Sequence, residues 1–222
     1  MKNKYLKRSK ISSKKYREIV RLFCQDLNAT QIARLTGVSR KTVNRLLMDI
    51  RVRIANYCQL QSPLVGEIEI DESYFGPKRI RGKKGRGAFK KVIVFGILKR
   101  KDKVYTQVVP NASRQALKAV IEDKIDPAST IYSDGWKAYD GLVDWGYQKH
   151  YRINHGASQF ADGNNHINGI ESFWGVAKVR LSNKRGLRAQ YFNLHLKEAE
   201  FRHNMRHKDM YLELLKILRE EG

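Results

Sequence analysis

Between Gln59 and Val65 the chain changes its hydrophobic period, and that change limits what it can fold into. Before it, apolar residues recur at helical spacing: Ile19, Val20, Leu22 and Phe23 within Lys14 to Leu27, then Val38, Val43 and Leu46. After it, Glu67, Glu69 and Asp71 alternate with Ile68 and Ile70, which is the period of a strand with one acidic and one apolar face. Two patterns in succession predict an all-α domain over residues 1–58, a linker over 59–64 and an α/β domain over 65–222.

The first domain has the spacing of a helix-turn-helix. Asn28 and Thr30 offer N-caps for a short helix over Gln31–Leu35, and Ala33 is small where two helices must approach. Gly37 stands where the turn needs positive φ, and Ser39 caps a further helix running to about Ile50. With Val38, Val43 and Leu46 inward, Ser39, Arg40, Lys41, Thr42, Asn44 and Arg45 face out, a set able to bond base edges. A basic three-helix bundle that merely packs on the next domain is the plainer alternative.

Charge points to the same partner. Residues 1–60 hold 15 Lys or Arg against 3 Asp or Glu, and the whole chain carries a formal +22. Such a surplus gives sequence-independent affinity for nucleic acid, so double-stranded DNA is the expected partner. Three carboxylates in apolar settings argue against a purely structural basic protein. Cys24 and Cys58 form no CxxC pair, so neither a zinc ribbon nor a disulfide framework is expected, and Cys24 reads as a core residue. No stretch approaches the roughly 18 apolar residues of a membrane span, and no apolar signal region follows the basic N-terminus. A cytoplasmic, nucleoid-associated protein without membrane contact is expected.

The second domain predicts strands over Val92–Leu98 and Lys103–Val109, then a helix from near Ser113 with Leu117, Val120 and Ile121 inward. A strand over Thr130–Ser133 ends at Asp134, a helix follows around Lys137–Val143, and a fifth strand covers Gln148–Ile153. Three strands, helix, strand, helix, strand, helix is the order of a ribonuclease H-like α/β fold, a mixed sheet flanked by helices. The loop Lys78–Lys91 carries eight basic residues, among them Lys83, Lys84 and Arg86, and no acid. It lacks the Gly-Lys-Ser/Thr of a phosphate loop and reads as an arm along a DNA backbone. From Tyr191 the chain is helical, with Phe192, Leu194, Leu196 and Phe201 partly inward; it either closes the domain or mediates dimerisation.

Three acids carry the chemistry: Asp71 closing EIEID, Asp134 in YSDGWKAY and Glu171 in HINGIESFWGVAK. Two strand ends and a helix can bring their carboxylates to a pair of Mg²⁺ or Mn²⁺ ions, about 3.5–4 Å apart, that run phosphodiester chemistry. In that arrangement Asp71 bridges the ions, Asp134 holds one and Glu171 completes the other. Each acid alone has a plainer reading, Asp134 as a turn starter and Glu171 as a solvated helix residue. On the Glu171 helix, Ile167, Ile170, Phe173, Trp174 and Ala177 form an apolar stripe, and Asn168, Glu171, Gly175 and Lys178 a polar one. Lys178 lies about 10 Å along the axis from Glu171, where an ammonium can clamp the neighbouring phosphate or simply face water. Gly175 between them costs the helix roughly 1 kcal/mol, which suggests close approach of a ligand.

The segments EIDESYFG, YSDGWKAY and HINGIESFWGVAK, in this order, resemble transposases of bacterial insertion sequences, specifically insertion-sequence family 1595 of the DDE class. The 36 residues between Asp134 and Glu171, and the step of seven to Lys178, suit that branch. The resemblance covers roughly Val65 to Asn204. It implies a ribonuclease H-like core in which Asp71, Asp134 and Glu171 are the catalytic metal ligands and Lys178 a phosphate contact. It also implies cleavage of element ends, strand transfer into target DNA, and at least a homodimer on DNA. Two departures stand out. The cysteine-rich zinc ribbon of many relatives is lacking, and the third position varies among them between Glu and Asn, which makes Asn168 a substitute ligand. His155 and His166 are candidates to approach the metal or the leaving oxygen, and Trp174 either stacks on an end base or packs in the core. A ribonuclease H-like nuclease and a non-catalytic DNA-binding regulator derived from a transposase are the competing functions.

Overall fold

The computed structural model describes residues 3–7, 9–61, 63–76, 91–134, 145–153, 166–184 and 187–220. Its elements in chain order are helices α1 (Ser13–Cys24), α2 (Ala29–Thr36) and α3 (Arg40–Gln59), then strands β1 (Glu67–Phe75), β2 (Val92–Lys99) and β3 (Val104–Val109). There follow α4 (Arg114–Lys124), β4 (Thr130–Asp134), β5 (Lys149–Ile153), α5 (Asn168–Ser182), α6 (Phe192–Asn204) and α7 (Met210–Glu220). The chain forms two compact units, Met1–Gln61 with Arg188–Gly222, and Ser62–Leu187.

In the first unit the helix ends obey local rules. Ser12 accepts from the Lys15 N–H, Asn28 and Gln31 form a reciprocal capping box, and Ser39 accepts from the Thr42 N–H. Gly37 closes α2 at φ +67°, a left-handed conformation that a Cβ would strain. Helix α3 runs nine residues past Ile50 because Ile54 and Cys58 continue its buried stripe of Val43, Leu47 and Ile50 at helical spacing.

The tail belongs to this unit, whereas the sequence reading places everything from residue 65 in one domain. Phe201, Met205, Leu214, Ile217 and Leu218 share a core with Tyr16, Ile19, Val20, Phe23, Ile32, Val43, Ile50 and Ile54. Arg202 donates to the carbonyls of Phe23 (2.6 Å) and Cys24 (3.0 Å) in the last turn of α1, where the Phe23 carbonyl also accepts the Asp26 N–H. Its Nε also reaches Glu198 (3.0 Å), which the Arg51 guanidinium meets from α3 (2.7 Å). The helical tail forms the two helices α6 and α7, with Asp209 accepting from the Leu212 N–H where the second starts.

The second unit holds a five-stranded sheet in the order β3-β2-β1-β4-β5. The pairs β1–β2 and β2–β3 are antiparallel, β1–β4 and β4–β5 parallel. Strand alternation splits β1 between two layers. Ile68 and Ile70 join Phe95, Ile97 and Tyr105 in a core completed by Leu117, Val120 and Ile121 of α4. The opposite face, with Glu69, Asp71 and Gly96, lies under α5. Asp71 is not a strand end as expected: β1 continues to Phe75 because its hairpin with β2 pairs Tyr74 with Ile93 and Phe75 with Val92. The helix expected around Lys137–Val143 lies outside the described residues.

Gly96 makes room for α5. A Cβ there would meet Trp174 Cζ2 well inside van der Waals contact and Ile170 Cδ1 at 3.0 Å. Gly96→Ala is expected to destabilise the protein by about 1–3 kcal/mol through overpacking. Urea denaturation measures this, and an unchanged midpoint would contradict the packing described.

Candidate active site

The parallel pairing of β1 with β4 ends at Glu69 opposite Tyr132. Two residues beyond that couple, on the same face, stand Asp71 and Asp134. The point where two neighbouring parallel strands part is where α/β proteins place ligand-binding side chains, and here β4 ends at Asp134 while β1 runs on past Asp71. Helix α5 lies over this face and carries Glu171 in its first turn, next to Ile170, whose side chain is buried. Sheet and helix thus bring the three acids that the sequence singles out to one place.

Asp71 registers the charges around it. Burial, then the negative charges of Glu72, Asp134 and Glu171, push the Asp71 carboxyl up to about 7 from its ordinary 3.8. Its proton is therefore half lost only near neutral pH. Among the described residues no group of three His, Cys, Asp or Glu is gathered closely enough to hold a metal ion as it stands. The donor chemistry nevertheless fits a hard divalent cation: oxygen ligands, and a negative charge that the fold itself disfavours.

The other expected residues fall differently. Lys178 is exposed, with Nζ 6.0 Å from the centre of the Phe75 ring. Gly175 is also exposed, and a Cβ there would meet nothing within 4 Å among the described residues. Asn168 is the exposed first residue of α5. His166 precedes that helix, with Nδ1 3.8 Å from Glu69 Oε1. Trp174 is 4% exposed and packs edge-on to Phe75 and tilted to Phe173, a core position that keeps the ring from an end base. Arg40, Lys41, Asn44 and Arg45 are all exposed along the first half of α3 in the other unit. Lys83, Lys84, Arg86 and His155 lie outside the described residues.

The sequence reading misses Glu69. Its carboxylate is 1% exposed, accepts the Arg100 Nε–H (3.0 Å) and accepts the Ile170 N–H of α5 (2.9 Å). The only signal is the alternation itself, which sets Glu69 on the face of Asp71.

Comparison with known proteins bears on this site. The family described as ISXO2-like transposase domain matches residues 63–204, a span that holds all three acids, Lys178, Glu69 and Arg100. A protein of Haemophilus influenzae described as an uncharacterised transposase-like protein is 41% identical over 118 residues, 53% of this chain and 94% of that one. An uncharacterised protein in transposable element ISH50 of Halobacterium salinarum is 30% identical over 186 residues, 74% of this chain and 60% of that one.

Proposed function

This chain belongs to the ISXO2-like transposase family, and on that premise we propose that it cuts DNA at the ends of a mobile element and joins them to target DNA. The observation that carries the reading is the placement of Asp71, Asp134 and Glu171 at one face of the sheet, where burial and the charges of Glu72, Asp134 and Glu171 all disfavour a bare Asp71 carboxylate. A sheet order of 3-2-1-4-5 with these acids at the β1/β4 divergence supports a ribonuclease H-like core. Asp71, Asp134 and Glu171 are the residues that would hold two Mg²⁺ or Mn²⁺ ions. When bound, such ions neutralise charge on the scissile phosphate and generate a nucleophile at neutral pH. The chain's own side chains do the rest: Asp71 sheds its proton near neutral pH, and Lys178 holds the adjoining phosphate.

DNA reading falls to the other unit. Arg40, Lys41, Asn44 and Arg45 on the capped start of α3 have the composition and exposure of a helix-turn-helix recognition surface. Lys83, Lys84 and Arg86 add backbone contacts, and two copies hold two ends as a homodimer on nucleoid DNA in the cytoplasm. Among the described residues no helix is long and apolar enough to cross a membrane.

Labelled element-end DNA with Mg²⁺ or Mn²⁺ tests the reading. Wild type is expected to give cleaved and joined products, and Glu171→Gln to lose on the order of 10³-fold in rate, several kcal/mol of transition-state stabilisation. Full activity in Glu171→Gln would move the third ligand to Asn168. Binding of the ends without cleavage under either metal would favour a regulator, and cleavage without joining a nuclease.

A further inference from the structure

The three acids share a mechanical neighbour. Glu69 lies two residues before Asp71 on β1, Tyr132 two residues before Asp134 on β4, and Ile170 one residue before Glu171 on α5. One buried ion pair touches all three of these neighbours or their side chains. Glu69 Oε2 accepts the Ile170 N–H at 2.9 Å, and Glu69 Oε1 accepts the Arg100 Nε–H at 3.0 Å. The Arg100 guanidinium lies 3.8 Å from the centre of the Tyr132 ring, and its Nη2 donates to the His166 carbonyl at 2.6 Å, just ahead of α5. The Tyr132 hydroxyl donates to Glu67 on β1 at 3.0 Å, which closes the circuit.

Helix α5 has no cap of its own. Ile167 at its N-cap makes no side-chain hydrogen bond to the first turn, so Glu69 supplies the missing acceptor from the strand below, with the charge the helix N-terminus favours. Gly169 permits the approach, since a Cβ there would lie 2.8 Å from Glu69 Oε2 and 3.1 Å from Leu98 Cδ2.

We infer that the Glu69–Arg100 pair is a positioning device that sets the separation of Asp71, Asp134 and Glu171. With side chains 1% and 10% exposed, Glu69 and Arg100 act through the three backbones that carry the acids. The inference rests on the proposed metal-dependent reading of those acids. Partners that orient metal ligands from behind are worth roughly 10–100-fold in metal affinity or activity, and a misplacement of about 1 Å costs a similar factor in rate.

Two variants of the full chain test it. Glu69→Gln keeps the size but removes the charge that holds Arg100. Gly169→Ala changes no charge and improves intrinsic helix propensity, yet its methyl displaces the Glu69 carboxylate. Mn²⁺ binding is followed by electron paramagnetic resonance and thermal shift, alongside cleavage of end DNA, at temperatures where each variant melts cooperatively well above the assay. Both variants are expected to bind Mn²⁺ at least tenfold more weakly and to cleave at least tenfold more slowly. Wild-type Mn²⁺ affinity and rate in folded Gly169→Ala would overturn the inference, as would the same result in Glu69→Gln. Asp71→Asn distinguishes loss of the metal site from loss of the positioning pair. Weak Mn²⁺ binding by Asp71→Asn with tight binding by wild type upholds the metal reading and leaves the pair to be judged by its own variants. Indistinguishable binding by Asp71→Asn and wild type removes the metal reading, and the positioning role falls with it.

Discussion

Replacing Asp71 by Asn should make the metal-free protein more stable while abolishing DNA cleavage. The folded carboxyl titrates near 7 and the free one near 3.8, so between these values the folded state holds a proton that the unfolded state has lost. Wild-type stability therefore falls as pH rises through that window, and the deficit levels off above about 7. Below about pH 4 Asp71 is protonated in both states and the two proteins should melt alike. Above about 7, Asn, which carries no charge to bury, should be more stable by on the order of 1–3 kcal/mol, less than the full shift implies because neighbours relax. Melting curves from pH 4 to 8 without divalent ions read this directly. A mutant advantage that shrinks with rising pH would contradict the assigned cause. Saturating Mn²⁺ should narrow or reverse the gap, because only wild type gains binding free energy from the ion.

Deleting residues 188–222 should unfold the N-terminal helices, although these lie far away in sequence. The deletion strips Phe201, Met205, Leu214, Ile217 and Leu218 from the core they share with α1, α2 and α3. At roughly 1.5–3 kcal/mol per large apolar side chain, the loss is about 7–15 kcal/mol, comparable to the whole stability of a small domain. It also removes Arg202 from the end of α1 and leaves Arg51 without Glu198. Circular dichroism of a 1–187 chain should show lost helix beyond that of the deleted segment, and the chain should bind end DNA only through nonspecific charge. Joining residues 1–61 directly to 188–222 through a flexible linker should restore a cooperative helical melt. A cooperative N-terminal transition in the 1–187 chain would show that the tail is dispensable.

What could be read in the sequence was local. The caps at Asn28 and Ser39, the positive φ of Gly37 and the alternation of β1 depend on neighbours a few residues away, and each is found where the pattern puts it. The three acids were legible for the same reason: each sits in a segment whose period is clear. Glu69 was not. An acid in an alternating strand looks solvent-facing until α5, a hundred residues later, covers it. Helix α6 posed the same problem, since Lys197, Glu198 and Glu200 are buried side by side and mask any amphipathic stripe. Lys197 pairs with Glu200 at 2.8 Å and Glu198 with Arg202 at 3.0 Å on the same helix, but the second partner of Glu198, Arg51, is remote in sequence, and no pattern announces it.

The unit built from both parts of the chain has a consequence for synthesis. Domains ordinarily fold as they leave the ribosome, N-terminal first, at about 5–20 residues per second. Here α1, α2 and α3 emerge first and wait for α6 and α7, while the sheet that carries the acids is translated and can fold between them. That interval is on the order of ten to thirty seconds, during which Ile19, Val20 and Phe23 lack part of their cover. The order of maturation is thus inverted: the intervening unit can form before the surface with Arg40 and Asn44 is set. A nascent chain stalled after residue 187 would present the acid-bearing sheet with the helical unit still unfinished.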